Sequence, residues 1–151
     1  MSRKERISRL VADFGPGNPM EPPASGLPLA MPSFGAEEVE EALSALLSGW
    51  ITMGDRVRAF ESAWAETTGT RHAVAVNSGS SALLVMLSAL VECGHLERGQ
   101  EVLLPAVGWS TSLFALSQAG LIPVLVDVDE DSLCIEGDRD RPVLAIHMLG
   151  C

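Results

Sequence analysis

Apolar residues recur with two different periods along the chain, and the change of period separates helices from strands. In residues 33–49 and 55–68, apolar positions follow the three- and four-residue spacing of amphipathic helices. Ser33 is the expected N-cap of the first helix, and Gly49 and Gly69 are the expected stops of the first and the second. The loop 50–54 joins these two predicted helices.

From His72 onwards, short apolar runs alternate with helical stretches. Each run is apolar without an in-out alternation, which is typical of strands buried on both faces. The helix over 82–91 is apolar all round, so we expect it to be buried on most sides. The alternation predicts an α/β fold with a mostly parallel sheet flanked by helices. The predicted strands are 72–76, 101–104, 122–127 and 143–147, and the predicted helices are 82–91 and 111–118.

The ends of the chain differ in character from its middle. Residues 1–28 are crowded with Pro and Gly after a short basic stretch, so we expect a flexible N-terminal arm. An amphipathic helix within its first residues is the alternative. Residues 29–151 form the predicted domain. Because the sequence stops at Cys151 just after a predicted strand, we expect this domain to be truncated.

The composition and charge of the chain argue against several classes of function. The net charge of −10 opposes nucleic-acid binding, which needs a basic face. No apolar run is long enough for a membrane helix and no secretory leader opens the chain, so we expect a cytoplasmic protein. Three cysteines and three histidines lack metal-ligand spacing, so we expect no metal site. The carboxylates of residues 127–131 are interpreted as a solvated turn.

Two loops at strand ends carry candidate chemistry. In the run 76–82, a predicted strand enters a Gly-containing turn and a helix begins, which is a suitable place for a phosphate group. A simple helix cap by Ser78 or Ser80 is the alternative. After the second predicted strand comes Trp109, whose indole is suited to stacking on a flat ring; core filling is its alternative.

Three separated segments of the sequence resemble one known family, the DegT/DnrJ/EryC1/StrS sugar aminotransferases. They read SGWITMGDRVRAFESAWAETTGTRHAVAVNSGSSAL, LPAVGWSTSLFALSQAGLIPVLVDVD and AIHMLG, with NSGSSA as the phosphate-turn motif inside the first segment. The resemblance implies the aspartate-aminotransferase-like fold, fold type I, of which this chain would be part of the large domain. It also implies the cofactor pyridoxal 5′-phosphate (PLP) and a nucleotide-linked keto-sugar substrate.

The resemblance assigns cofactor-binding roles to four residues. Gly79, Ser80 and Ser81 would bind the cofactor phosphate, and Trp109 would stack on the pyridine ring. In the family, the Schiff-base lysine and the aspartate that pairs with the pyridine nitrogen lie further along than the part that this sequence covers, and the only lysine here, Lys4, lies in the predicted arm. We therefore expect no catalytic residue in this chain and no activity of the chain alone.

Three functions remain open at this point. The chain is interpreted as the N-terminal portion of a PLP-dependent sugar aminotransferase-like protein. A sugar 3-dehydratase that uses pyridoxamine 5′-phosphate (PMP) is the second interpretation, and a non-catalytic split-gene subunit or remnant is the third. Members of the family form homodimers, so the resemblance implies a homodimer. A complementing C-terminal chain is the other expected partner. The loop 50–54 is a candidate for contacts near the substrate.

Overall fold

The computed structural model describes residues 1–14, 34–135 and 140–148, which belong to two compact units, 1–71 and 72–151. Each unit is described by itself. Within the described ranges, every helix is too short or too polar to cross a lipid bilayer. The elements are α1 (Arg3–Phe14), α2 (Ala36–Ser48), α3 (Asp55–Thr68), α4 (Gly79–Glu92), β1 (Glu101–Pro105), α5 (Ser110–Gln118) and β2 (Ile122–Val126).

Local capping explains where α2 and α3 begin and end. The N-cap of α2 is Gly35, whose backbone N–H donates to the Glu38 carboxylate at 2.6 Å. This hydrogen bond lowers the pKa of Glu38. The predicted N-cap, Ser33, lies outside the described residues. Gly49 and Gly69 end the two helices with φ of 77° and 69°, a left-handed conformation that glycine adopts without strain, so both predicted stops are confirmed.

The first residues of the predicted arm form a helix in the structure. α1 packs against α2 and buries Ile7 and Val11, which lie four residues apart on one face of the helix. This is the amphipathic helix that the sequence leaves open as an alternative. Residues 15–28, the rest of the predicted arm, lie outside the described residues.

The apolar face of α3 is less buried than its pattern predicts. Phe60 and Trp64 contact each other with ring centroids 6.1 Å apart, but both remain more than half exposed. Of the α3 side chains, Ala65 is the buried one. The helix is therefore predicted correctly, whereas its apolar stripe stays open to solvent in the described residues.

The second unit is built on a parallel pair of strands. β1 pairs with β2 in the register Leu103 opposite Val124. On its other side, β1 forms a parallel bridge from Leu103 to Val143. β1 is therefore the central strand, and the α/β prediction with parallel pairing is confirmed.

Two of the four predicted strands are wrong. Residues 72–76 have no strand assignment, and 143–147 is reduced to the single bridge at Val143. A strand requires a neighbour to complete its ladder, and apolarity alone does not supply one. Val74, 72% exposed, shows that this run is not covered in the described residues.

The core of the second unit lies between the sheet and its helices. Leu116 of α5 is fully buried, and Leu87 is the buried residue of α4. Val85 and Met86 are more than two fifths exposed, so the prediction that α4 is buried on most sides is wrong. The buried cluster consists of Leu87, Val102, Leu104, Ala115, Leu116, Ala119 and Leu121.

Candidate functional site

The turn that starts α4 is held by three side chains. Ser78 is the N-cap, and its hydroxyl oxygen accepts a hydrogen bond from the Ser81 backbone N–H at 3.2 Å. The Ser81 hydroxyl donates to Asn77 Oδ1 at 2.6 Å. The cap interpretation of Ser78 is confirmed, and Ser81 is tied to the same network.

The first turn of α4 offers hydrogen-bond donors to an anion. Within the part of the chain that the structure describes, the backbone N–H groups of Gly79 and Ser80 have no protein acceptor. A Cβ atom built on Gly79 would meet no other atom within 4 Å, so the surface at Gly79 is open. Unpaired N–H groups and the positive end of the helix dipole favour a phosphate at this position.

Trp109 is presented at the start of the next helix. It is the N-cap residue of α5, four residues beyond the end of β1, and its side chain is 72% exposed. Its backbone C=O accepts from the Ser112 N–H at 3.1 Å, which fixes it to the first turn of α5. The alternative that Trp109 fills the core is therefore wrong.

The acidic stretch after β2 is a turn. The Asp129 carboxylate accepts hydrogen bonds from the Ser132 backbone N–H and hydroxyl, both at 2.8 Å. These bonds lower the pKa of Asp129. In the described ranges, no group of three or more His, Cys, Asp and Glu side chains is placed to hold a metal ion.

A cavity in the first unit has no clear signal in the sequence. It measures about 760 Å³ and lies between α2, the loop 50–54 and α3, with Leu46, Ile51 and Val57 in its wall. In the loop, Trp50 Nε1–H donates to the Met53 backbone oxygen at 3.1 Å. The apolar residues of the loop 50–54 are the feature of the sequence that relates to this cavity, but their spacing alone does not predict a concave surface.

A sequence profile of the DegT/DnrJ/EryC1/StrS aminotransferase family matches residues 32–141. The chain is also similar to solved structures. It is 37% identical to Escherichia coli GDP-4-keto-6-deoxy-D-mannose-3-dehydratase with bound hydrated PLP, over 82% of this chain and 34% of that one, with a TM-score of 0.73.

Two further structures show the range of this similarity. A variant of GDP-4-keto-6-deoxymannose-3-dehydratase (ColD) with bound GDP-perosamine is 40% identical over 72% of this chain and 29% of that one, with a TM-score of 0.67. A protein of Streptococcus pneumoniae, solved in a PLP form and described as a candidate sugar aminotransferase, is 29% identical over 74% of this chain and 28% of that one, with a TM-score of 0.64. The chain thus spans about a third of the length of these proteins.

Proposed function

Because the chain belongs to the DegT/DnrJ/EryC1/StrS aminotransferase family, we propose that it supplies the phosphate- and ring-binding part of a PLP or PMP site. The fold is that of fold type I enzymes, represented by the matched structures. The enzyme as a whole would act on a nucleotide-linked keto-sugar, as the names of the matched proteins indicate for those proteins.

The first turn of α4 is the observation that carries this proposal. The backbone N–H groups of Gly79 and Ser80 have no protein acceptor in the described residues, and no atom lies within 4 Å of a Cβ built on Gly79. The Ser81 hydroxyl lies in the same turn, but it donates its hydrogen to Asn77 Oδ1, so the two backbone N–H groups are the donors open to an anion. These donors fit a phosphate dianion, which accepts several hydrogen bonds and is attracted by the helix dipole.

The topology supports one site for the turn and Trp109. α4 leads into β1, β1 leads into α5, and the two helices pack against each other. In parallel α/β units the helices run opposite to the strands, so helix starts gather at the carboxyl edge of the sheet, where ligands bind. We therefore propose that the Trp109 indole faces the same space as the Ser80 N–H.

In this site the chain would bind and orient the cofactor, and it would supply no group that reacts. When bound, PLP or PMP would supply an electron sink: its pyridine ring withdraws electrons from the bonds next to the nitrogen that links it to the substrate. The turn would anchor the phosphate while the exposed indole would fix the plane of the pyridine ring. The only lysine, Lys4, lies on α1 beside Glu40 and Glu41 in the first unit. We therefore propose that this chain alone has no transaminase activity.

A PMP-dependent sugar 3-dehydratase is the second candidate function. Its support is the identity of 37% and 40% to two 3-dehydratase structures, against 29% to the Streptococcus pneumoniae protein. A non-catalytic subunit is the third candidate. These candidates are distinguished by assaying the chain together with the C-terminal part of a homologous enzyme. A dehydratase removes water from the sugar, whereas an aminotransferase transfers an amino group to it from glutamate, so the sugar products differ. A non-catalytic subunit would give neither product.

Exposed apolar surface supports the proposal that the chain has a partner, either a second copy or a complementing chain. Leu47, Phe60 and Trp64 are more than half exposed in the first unit, as is Leu125 on β2 in the second. Such surface favours association over a free monomer. Light scattering tests this: we expect a dimer or larger species, and a folded monomer at high concentration would contradict it.

Calorimetric titration of the chain with PMP tests the cofactor site. PMP needs no lysine, so binding reports only the phosphate and ring contacts. We expect saturable binding that weakens about two- to tenfold in Trp109→Ala, since an aromatic stacking contact is worth about 0.5–1.5 kcal/mol. Trp64→Ala, which removes a comparably exposed indole from the first unit, is the control and should bind like the original chain. Equal losses in both variants would refute the assignment.

A further inference from the structure

The residue before Trp109 is in close contact with the last described segment of the chain. A Cβ atom built on Gly108 would lie 2.7 Å from Ile146 Cδ1, closer than side-chain carbons pack. The φ of Gly108 is not in the left-handed region, so the backbone itself does not require glycine there. The end of the Ile146 side chain occupies the space that a Cβ at this position would need.

Ile146 is held from two directions. Its segment is joined to β1 by hydrogen bonds from the Leu103 N–H to the Pro142 oxygen and from the Leu144 N–H to the Leu103 oxygen, each 2.9 Å. Leu144 and Ile146, two residues apart on one face of this extended segment, pack against the buried cluster under α4 and α5. Ile146 therefore packs partly on the core while its Cδ1 end lies against the backbone at Gly108.

We propose that Gly108 and Ile146 are a pair of positioning residues that set the place of the Trp109 indole. The inference rests on the proposed role of Trp109 in stacking on the cofactor ring. Because Gly108 has no side chain, the loop after β1 lies directly on the Ile146 methyl group. This contact sets the backbone position of the loop where it enters α5 at Trp109. The segment 142–146 thus supports the ring-binding residue without touching the ring.

The pair predicts a specific double-mutant result. In Gly108→Ala, the new methyl overlaps Ile146 Cδ1, so either this half-buried side chain or the loop must move; because Ile146 packs on the core, we expect the loop carrying Trp109 to shift. We expect PMP binding to weaken about two- to tenfold, at most the factor that an aromatic stacking contact contributes. Ile146→Val removes the Cδ1 carbon, so the double variant Gly108→Ala/Ile146→Val should recover most of the affinity.

The test uses two readouts on the whole chain. One is the dissociation constant for PMP from calorimetry. The other is acrylamide quenching of Trp109 fluorescence with Trp50 and Trp64 replaced by Phe, which reports the indole environment without ligand. Ser110→Ala, on the other side of Trp109 and exposed, is the matched control and should leave both readouts unchanged.

The outcomes separate this inference from the proposed function. If the original chain does not bind PMP, the proposed cofactor site fails, and quenching alone decides whether Gly108 positions Trp109. Weakened binding that Ile146→Val rescues supports the pair. No effect of Gly108→Ala, or an effect without rescue, overturns it. Should Gly108→Ala fail to fold by circular dichroism, Ile146→Ala replaces it; we expect altered quenching of Trp109, and unchanged quenching would overturn the proposal.

Discussion

Replacing Ser78 separates the stability of the α4 start from its capacity to bind an anion. The Ser78 hydroxyl accepts from the Ser81 N–H at 3.2 Å and contacts the Ser81 hydroxyl at the same distance. Ser78→Ala removes the cap. Such a loss costs about 0.5–2 kcal/mol, and the exposure of Ser78 favours the lower half of that range.

The expected size of the effect follows from the size of the second unit. For a domain of 60–100 residues, 1 kcal/mol shifts the melting temperature by about 4–8 °C. A loss of about 0.5–1 kcal/mol therefore lowers the melting temperature of Ser78→Ala by roughly 2–8 °C. Ser117→Ala is the control, because the Ser117 hydroxyl bonds to the Leu113 oxygen within α5 and caps nothing.

Ser78→Asp makes the test sharper. Asp is as good an N-cap as Ser and its charge suits the helix dipole, so we expect the stability of this variant to match or exceed the original. Its carboxylate also lies beside the proposed phosphate position, and two unit charges 4 Å apart repel by about 1 kcal/mol even in water. We therefore expect PMP affinity to fall at least about fivefold. A stable Ser78→Asp chain that binds PMP normally would refute the phosphate assignment.

Three further predictions concern the scaffold. Leu116→Ala should lower the free energy of unfolding by about 2–5 kcal/mol, because this side chain is fully buried, whereas Leu125→Ala, at an exposed position, should change it little in urea titrations. Gly54→Ala should cost about 1–3 kcal/mol, because the new Cβ would overlap the Trp50 indole and lie 2.8 Å from its Cδ1 atom; in a Trp50→Ala background this clash disappears, and an equal cost in both backgrounds would contradict the contact. Ser132→Ala should raise the pKa of Asp129 part of the way to its ordinary value, because it removes the hydroxyl donor and leaves the Ser132 backbone N–H in place. The lowered pKa of Asp129 stabilises the folded state only at pH values above that pKa. The difference in stability between Ser132→Ala and the original chain should therefore shrink as pH falls through the pKa of Asp129. A carboxyl titration by NMR that is unchanged in the variant would contradict this.

The sequence predicts local structure well where the signal is itself local. The bounds of α3 and its stop at Gly69 are predicted correctly, because the apolar spacing and a left-handed glycine are properties of neighbouring residues. The helix after the phosphate turn and the parallel strands β1 and β2 follow from the same kind of pattern.

The failures concern properties that depend on distant contacts. Residues 72–76 are apolar but lack a strand assignment, because a strand depends on a ladder partner that composition does not specify. The exposure of Met86 on α4 is likewise set by what packs over the helix. Of the candidate site, Ser78 as a cap and Trp109 at a helix start could be predicted; the contact of Gly108 with Ile146 could not, because 38 residues of chain separate them.

Amide chemical shifts of the 15N-labelled chain on addition of PMP test the central claim most directly. The account predicts that the largest shifts fall on the backbone N–H groups of Gly79 and Ser80 and on the Trp109 indole N–H. The rival location is the cavity of about 760 Å³ in the first unit, whose reporters are Ile51, Val57 and the Trp50 indole. Shifts confined to that cavity, or no saturable shifts at all, would contradict the assignment of the cofactor site to the start of α4.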